Sequence, residues 1–527
     1  MTTPAGTTPA ATAPAGQRVT RPRTTRNVLL AWAAFAFNVV ISFFLSPFIV
    51  HRLGNAEYGV WVLLGSLVGY MGLLDLGVRS AVMRYVARHH ARGEDEDAGR
   101  VASAGLMIFT AAGLVAVTGS VVIAVLLEHL FKIPPETLLI ARIVVIVGGL
   151  NVAVSLVTGV FGGTVTAMQR FDLDAVIGIA IGAVRTVTLV AALRAGGGLL
   201  ALAFIQLGCT VLQGGVYFAV TRRLYPQLRY RLHKLRRDEL RTIFSFSIYS
   251  SLINLSSVLT FSLNSVIIGA NLPVAMITFY AIPATLMDYT RSIISAISQT
   301  MTPRASALDG LGAHRELEKV LLQAGMISSL VALPITITFM LRGSAFIGLW
   351  MGPSYAATSG QILLILAVAL SMAAGRQVVG STMIGVNRHR DLVPFYLGEG
   401  LINLGLSVYW IRSLGLLGVA LGTAVPNLVT TLLVAPWIVH RVLGTPVRTM
   451  MTALWLRPLA AMIPFTAATW AVERLWPARG LLTFFAGVAV TLPVAAAGAW
   501  FLAISPAERS SLAASLRRLV RSTLGRG

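Results

Sequence analysis

The sequence predicts an all-α polytopic membrane protein of about fourteen helices. Three observations point there. The 527 residues are 56% hydrophobic and only 12% charged, where a soluble chain carries roughly twice that charge. Apolar runs recur along almost the whole chain, each about 20 residues long, the length an α-helix needs to cross about 30 Å of hydrocarbon. The alternation expected of a membrane β-barrel is missing, and backbone groups in lipid must pair within their own segment, so the runs are helices.

The predicted spans are 28–50, 58–77, 102–126, 138–160, 173–194, 199–220, 244–269, 274–297, 320–341, 361–383, 393–412, 416–438, 457–473 and 481–503. Before them lies a Thr/Pro/Ala tract with too little apolar surface to fold, then Arg18, Arg21, Arg23 and Arg26. No cleavable signal peptide is expected. Cys209, in an apolar run, is the single cysteine, which excludes an internal disulfide. A net charge of +22 invites a nucleic-acid reading. The arginines lie mostly between spans, however, where they set topology, so no nucleic-acid partner is expected.

With the N-terminus inside, roughly 31 Lys and Arg fall in or at the ends of inside segments and roughly 8 outside, leaving Arg185, Arg291 and Arg376 deep within spans. An even span number then puts both termini in the cytoplasm of a cell (inner) membrane protein. The densest inside loop runs from Arg222 to Arg241.

The first twelve spans read as two parallel copies of six. Met168-Gln169-Arg170-Phe171-Asp172 enters span five, and Val386-Asn387-Arg388-His389-Arg390-Asp391 enters span eleven about 218 residues later. Gly196-Gly197-Gly198-Leu199-Leu200 and Ser413-Leu414-Gly415-Leu416-Leu417 keep nearly the same offset, and Asp75/Arg79 match Asp288/Arg291 at about 212. An offset across an even number of helices implies an axis along the membrane normal. The expected parts are a tail at 1–27, an N-lobe at 28–221, a basic linker at 222–243, a C-lobe at 244–440, an extra helix pair at 441–504 and a cytoplasmic tail at 505–527. In that tail Leu512, Leu516, Leu519 and Val520 alternate with Arg517, Arg518 and Arg521, which suits an amphipathic stretch on anionic lipids.

Ionisable groups inside spans are costly, so each is a functional candidate. Arg185 lies about 18 Å along span five, at about 1.5 Å per residue. It could meet an anionic headgroup or bond a neighbouring helix. Asp288 and Arg291, three apart, share a face of span eight. Arg376 and Gln377 lie inside span ten, and Glu399 inside span eleven. Glu399 is also a candidate proton-coupling carboxylate, since burial raises a carboxyl pKa. Asn38, Asn151, Asn264, Gln206 and Asn254 are mid-span amides suited to sugar hydroxyls or to helix–helix bonds. Asp75 and Arg79 read better as a helix end and its ion pair. The GxxxG pairs Gly65/Gly69, Gly178/Gly182 and Gly418/Gly422 predict close packing. No histidine falls inside a span, and no Cys/His spacing, phosphate-binding loop or nucleophile elbow occurs, so no metal or other cofactor is expected.

Leu53-Gly54-Asn55-Ala56-Glu57-Tyr58-Gly59-Val60-Trp61 resembles the first outer turn of the polysaccharide flippase family. That family belongs to a superfamily that also holds multidrug antiporters and lipid II flippases. The likeness continues through Leu74-Asp75-Leu76-Gly77-Val78-Arg79, Arg84-Tyr85-Val86-Ala87 and Gly415-Leu416-Leu417-Gly418-Val419-Ala420. The resemblance implies two six-helix lobes around a central cavity, open alternately to either side; spans thirteen and fourteen fall outside the repeat. It implies a lipid-linked oligosaccharide substrate, a sugar chain on a polyprenyl diphosphate. A proton or Na+ is the candidate coupling ion, and a polysaccharide polymerase a candidate partner. In lipid II flippases an arginine follows the Tyr-Ala that opens span eight; here Ile282 and Pro283 follow Tyr280-Ala281, which favours exopolysaccharide, capsule or O-antigen. Two rivals remain. A cation antiporter wants carboxylates in a neutral cavity, whereas deep arginine outnumbers deep carboxylate here. A polymerase or ligase wants catalytic residues on a sizeable external loop. The longest external segment expected, Leu341 to Gly360, offers one arginine and no acid.

Overall fold

Every long apolar run among the described residues folds as helix, and no strand occurs among them. The structure is a computed structural model that describes residues 24–75, 77–230, 255, 262–505 and 509, with side chains from Ala33 onward. Asn254, most of span seven and nearly all of the two predicted tails lie outside the described residues. Ten of the described helices are long and apolar enough to cross a membrane. The chain divides into two compact units. One holds Met1–Phe44, Met71–Ala124 and Ile143–Ser251, the other Leu45–Tyr70, Val125–Arg142 and Leu252–Gly527.

Helix α1, Thr24–Met71, carries the first two predicted spans as two arms broken at Gly54 (φ 74°, ψ 171°). No Cβ-bearing residue adopts that backbone easily, which is why a glycine turns the chain here. Next come α2 (Val78–Arg92), α3 (Asp95–Leu130), α4 (Pro135–Ala167), α5 (Phe171–Arg194) and α6 (Leu199–Leu224), all in the first unit except residues 125–130 of α3 and 135–142 of α4. Helix α2 stops at Gly93 (φ 74°), whose N–H bonds the His90 carbonyl, while the Glu94 N–H returns to His89. The His89 ring then lies 2.6 Å from the Glu94 carboxylate and holds its carboxyl below the usual range. Val78, Val82 and Val86, on one face of α2, pack with Ala102, Phe109, Val160 and Tyr225 into this unit's core.

The second unit contains α7 (Leu263–Asn271), α8 (Ala275–Gln299), α9 (Met301–Gly310), α10 (His314–Trp350), α11 (Pro353–Gly385), α12 (Val393–Leu414) and α13 (Leu416–Val429). After them come α14 (Ala435–Leu443), α15 (Val447–Met451), α16 (Arg457–Ala461), α17 (Ile463–Leu475) and α18 (Leu481–Gly498). Helix α11 packs along α8, α10 and α13, and α12 along α13. Wider π-type turns occupy Thr430–Val434 and Thr452–Leu456. Each is followed by a proline, Pro436 and Pro458, whose missing N–H deprives Leu432 and Leu454 of their helical partner, so the turn widens.

The outer-turn motif earns its place in this unit. Asn55 accepts a hydrogen bond from the Thr278 hydroxyl at its carbonyl (2.8 Å) and another from Tyr355 at its side chain. Gly59 lies so close to the Val274 backbone that a Cβ would stand 2.8 Å from the carbonyl carbon.

The two span-entry landmarks adopt the same turn. Gln169 and Asn387 both have φ 57°. Arg170 N–H bonds the Val165 carbonyl at 3.3 Å, and Arg388 N–H bonds Met383 at 2.8 Å. Each arginine then pairs with the next aspartate, Arg170 with Asp172 and Arg388 with Asp391, both at 2.9 Å.

Two expectations need correction. The segment Leu341–Gly360 is not a long external loop: α10 runs to Trp350 and α11 begins at Pro353, leaving only Met351 and Gly352 between them. Hydropathy falls at Arg342, but the helix continues because that charge is buried against Glu473. Of the GxxxG pairs, only Gly418/Gly422 is fully close-packed. A Cβ on Gly422 would lie 2.8 Å from the Ser407 backbone nitrogen, and one on Gly418 2.8 Å from the Trp410 Cβ. Gly65, Gly69 and Gly178 face open space among the described residues, and Gly182 makes ordinary contact with Phe37.

Candidate functional site

Polar side chains of the second unit gather around a cavity of about 430 Å³. Helix α8 contributes Tyr280, Asp288, Arg291 and Ser295, and α11 contributes Arg376 and Gln377. Tyr396 and Glu399 come from α12, Asn264 from α7, and Thr423 and Asn427 from α13. Met287, Leu366 and Leu370 supply apolar wall. Five separate helices thus converge through residues that face inward at helical spacing. The volume falls within the roughly 300–1,000 Å³ of ligand sites.

Two ion pairs of different character line it. Arg376 donates to both oxygens of Glu399, Nη1 to Oε2 at 2.7 Å and Nη2 to Oε1 at 3.4 Å. Asn427 Nδ2 donates to Glu399 Oε1 at 2.8 Å, and the Tyr396 ring lies 5.3 Å from the Arg376 guanidinium carbon. The side chains of Arg376 and Glu399 are 13% and 4% exposed. Arg291 meets Asp288 at 2.5 Å, but there the carboxylate is 61% exposed and the guanidinium 25%. The first pair is fixed and multiply satisfied. The second faces the cavity, with the more accessible carboxylate of the two pairs.

The neutral groups form two hydrogen-bonded sets. Asn264 Nδ2 donates to Tyr280 Oη (2.9 Å) and Thr423 Oγ1 (3.1 Å). Thr423 reaches Asn403 Oδ1 at 3.4 Å, and Ser295 donates to Gln377 Oε1 at 3.3 Å.

Of the predicted site residues, Asp288, Arg291, Arg376, Gln377, Glu399 and Asn264 therefore share one cavity. Arg185, Asn38 and Asn151 lie in the other unit and line neither cavity described here. Arg185 Nη1 reaches Gln206 Oε1 at 3.4 Å, an interhelical bond between α5 and α6. Asn38 folds back on its own helix, donating to the Ala34 carbonyl at 2.8 Å. Asn151 Oδ1 is buried and has no hydrogen-bond partner among the described residues. Asp75 accepts from the Arg79 backbone N–H at 3.3 Å, with Arg79 Nε 3.8 Å from its carboxylate. Arg79 also borders a second cavity of about 320 Å³, wholly within the first unit.

Tyr280, Tyr396, Thr423 and Asn427 were missed as site residues. A signal existed: Glu399, Asn403 and Ser407 recur every fourth residue on α12, and Thr423 and Asn427 are four apart on α13, so each set forms one polar stripe. Arg342 was missed too. Its side chain is fully buried, donates to Glu473 at 2.5 Å and stacks 4.6 Å from the Phe484 ring centre. It thereby joins α10, α17 and α18.

Solved structures with this architecture are membrane transporters. The lipid II flippase MurJ, in an inward closed conformation, superposes with a TM-score of 0.66 over 90% of this chain and 98% of its own, at 10% identity. An inward-facing multidrug resistance MATE family transporter of the MOP superfamily gives 0.59 over 78% and 99%, at 18% identity. At these identities the likeness shows the fold. In sequence, the chain is 22% identical over 425 residues to the uncharacterized membrane protein EpsK of Bacillus subtilis (strain 168), covering 78% of this chain and 82% of that protein. The family described as "Polysaccharide biosynthesis protein" matches residues 49–359, well over half of the chain. With an all-helical transporter fold, several membrane-length helices and that match, the chain is a multi-pass membrane protein and belongs to the polysaccharide biosynthesis protein family.

Proposed function

We propose that this protein is a flippase, not an enzyme, that carries a polyprenyl-diphosphate-linked oligosaccharide across the cytoplasmic membrane by alternating access, for exopolysaccharide, capsule or O-antigen assembly. The observation that carries the reading is the accessible Arg291–Asp288 pair, set on the wall of a cavity that also offers amides, hydroxyls and apolar surface. A diphosphate can take the place of Asp288 on the Arg291 guanidinium, whose planar fork suits phosphate oxygens. Asn264, Gln377 and Thr423 suit sugar hydroxyls. The Arg376–Glu399 pair keeps a formal neutral backdrop and fixes α11 against α12. The family membership and the likeness to a lipid II flippase agree with a lipid-linked substrate.

The same reading places both termini in the cytoplasm and retains the lobe boundaries at 28–221 and 244–440. The matching turns at Gln169 and Asn387 support an internal repeat. A reporter after Gly527 should be cytoplasmic and one in the Met351–Gly352 turn external. Arg185, Asn38 and Asn151 remain candidate contacts along the path. A second reading, an ion-coupled cation antiporter, draws on the two carboxylates Asp288 and Glu399 in one cavity. Polysaccharide export by cells carrying Arg291→Ala at normal protein level tests the proposal. Export should fall, whereas unchanged export would count against it.

A further inference from the structure

The first unit contains a cavity that the proposed function does not use. It lies where α4 and α6 end and where α2 and α5 begin, and its volume is about 320 Å³. Ser80, Ser155 and the Gln213 amide line it, together with four hydroxyls whose hydrogens are already committed. Thr158 donates to the Val154 carbonyl at 2.8 Å, Thr166 to Gly163 at 2.9 Å and Thr210 to Gln206 at 3.0 Å. Tyr217 donates to Asp174 at 2.7 Å. Each oxygen therefore presents lone pairs to the cavity and can only accept there. These four oxygens offer a bare anion nothing, while a sugar hydroxyl can donate to them.

Among the described residues, Arg79 is the cation that borders this space. Arg79 lies against the glycine face of α4, so close that a Cβ on Gly159 would stand 2.7 Å from Nη2. Its ion-pair partner among the described residues, Asp75, stays 3.8 Å from Nε, beyond hydrogen-bond reach. The guanidinium is thus placed by packing and retains donors for a ligand.

We infer that this cavity is a second binding site, for a sugar phosphate, whose hydroxyls donate to the threonine oxygens and whose phosphate is taken by Arg79. The inference rests on the proposed function only for the source of that group, the lipid-linked unit rather than a free sugar phosphate. Backbone hydrogen exchange of the full chain in lipid nanodiscs tests it. The probes are undecaprenyl diphosphate, undecaprenyl-diphosphate-linked N-acetylglucosamine, and the free 1-phosphates of glucose, galactose and N-acetylglucosamine. At least one sugar-bearing probe should slow exchange in 155–166 and 210–217 clearly more than bare undecaprenyl diphosphate, which Arg79 alone would hold. Slowing by the lipid-linked sugar at lower concentration than by any free 1-phosphate assigns the source. Thr158→Val should weaken that effect about fivefold or more at unchanged thermal stability, since one accepted hydrogen bond is lost. Gly159→Ala, which displaces the Arg79 head, should weaken it as well. No slowing by any sugar probe in these segments, or equal slowing by bare undecaprenyl diphosphate, overturns the inference. If slowing then appears around Arg291 alone, the proposed function stands without it. Silence at both sites with the lipid-linked sugar removes both.

Discussion

Arg376 grips Glu399 with both arms of its guanidinium inside the second unit, while Arg291, on the same cavity, holds an Asp288 that is 61% exposed. Breaking a buried pair leaves an uncompensated charge and costs about 3–5 kcal/mol. Arg376→Ala should therefore lower the thermal stability and the folded yield of purified protein. Replacing both partners, Arg376→Met with Glu399→Leu, should recover much of the loss, because no charge is left orphaned. A double-mutant cycle on unfolding temperature measures this. Additive losses would show that the pair is not coupled.

Arg291 should behave in the opposite way. Arg291→Ala leaves a carboxylate that is far more accessible than Glu399, so it should lower stability less than Arg376→Ala does. Its transport per folded molecule should fall about tenfold or more, the worth of a charge-assisted contact of about 1.5–3 kcal/mol. Arg291→Lys should rescue only partly, since it keeps the charge and loses the fork.

Asp288 separates the two readings of the cavity. Asp288→Asn removes the carboxylate that competes for Arg291, so binding of undecaprenyl diphosphate, measured by calorimetry in detergent, should become tighter by a few-fold. A cation antiporter would lose its substrate site instead. Unchanged or weaker diphosphate binding in this variant would favour that rival.

Arg342 makes a purely structural prediction. It is fully buried between Glu473 and the Phe484 ring, against Gly487, where a Cβ would stand 2.8 Å from Nη1. Glu473→Ala should destabilise by about 3–5 kcal/mol, read as a lower unfolding temperature. Molecules that remain folded should transport normally. Loss of activity without loss of stability would contradict this role.

The spans were legible because run length and hydropathy are properties of the chain itself. The outer turn was legible through its family resemblance; only the positive φ of Gly54 is a local demand, since Asn55 meets Thr278 and Tyr355 from 223 and 300 residues away. Arg291, Arg376 and Glu399 stood out by their depth in apolar runs. Their partners did not, because Glu399 meets Arg376 from another helix and Asn427 from a third, and spacing along one helix carries no such information. Arg342 was misplaced for the same reason: hydropathy registers its charge, but not the Glu473 that compensates it 131 residues away. The hydroxyls around the first unit's cavity gave no signal, since a threonine bonded to its own helix is ordinary in a membrane span. The glycine spacings misled because Gly65 and Gly69 satisfy GxxxG without a neighbour among the described residues.

That difference among glycines is itself testable. Gly422→Ala must push on the Ser407 backbone and should cost at least about 1 kcal/mol, the lower end for overpacking. Gly65→Ala meets open space and should be neutral or slightly stabilising, since alanine favours helix by about 1 kcal/mol. Unfolding temperatures of the two variants should diverge. Equal losses would mean that Gly65 packs against something outside the described residues.

Translocation itself is the most direct test of the central claim. The purified full chain can be placed in proteoliposomes with an undecaprenyl-diphosphate-linked oligosaccharide, and the sugar exposed on the far leaflet followed by enzymatic labelling. Wild-type protein should move the lipid-linked sugar well above protein-free liposomes, and Arg291→Ala at equal protein density should be slower by about tenfold or more. Movement no faster than in protein-free liposomes, or equal rates for wild type and Arg291→Ala, would contradict the account.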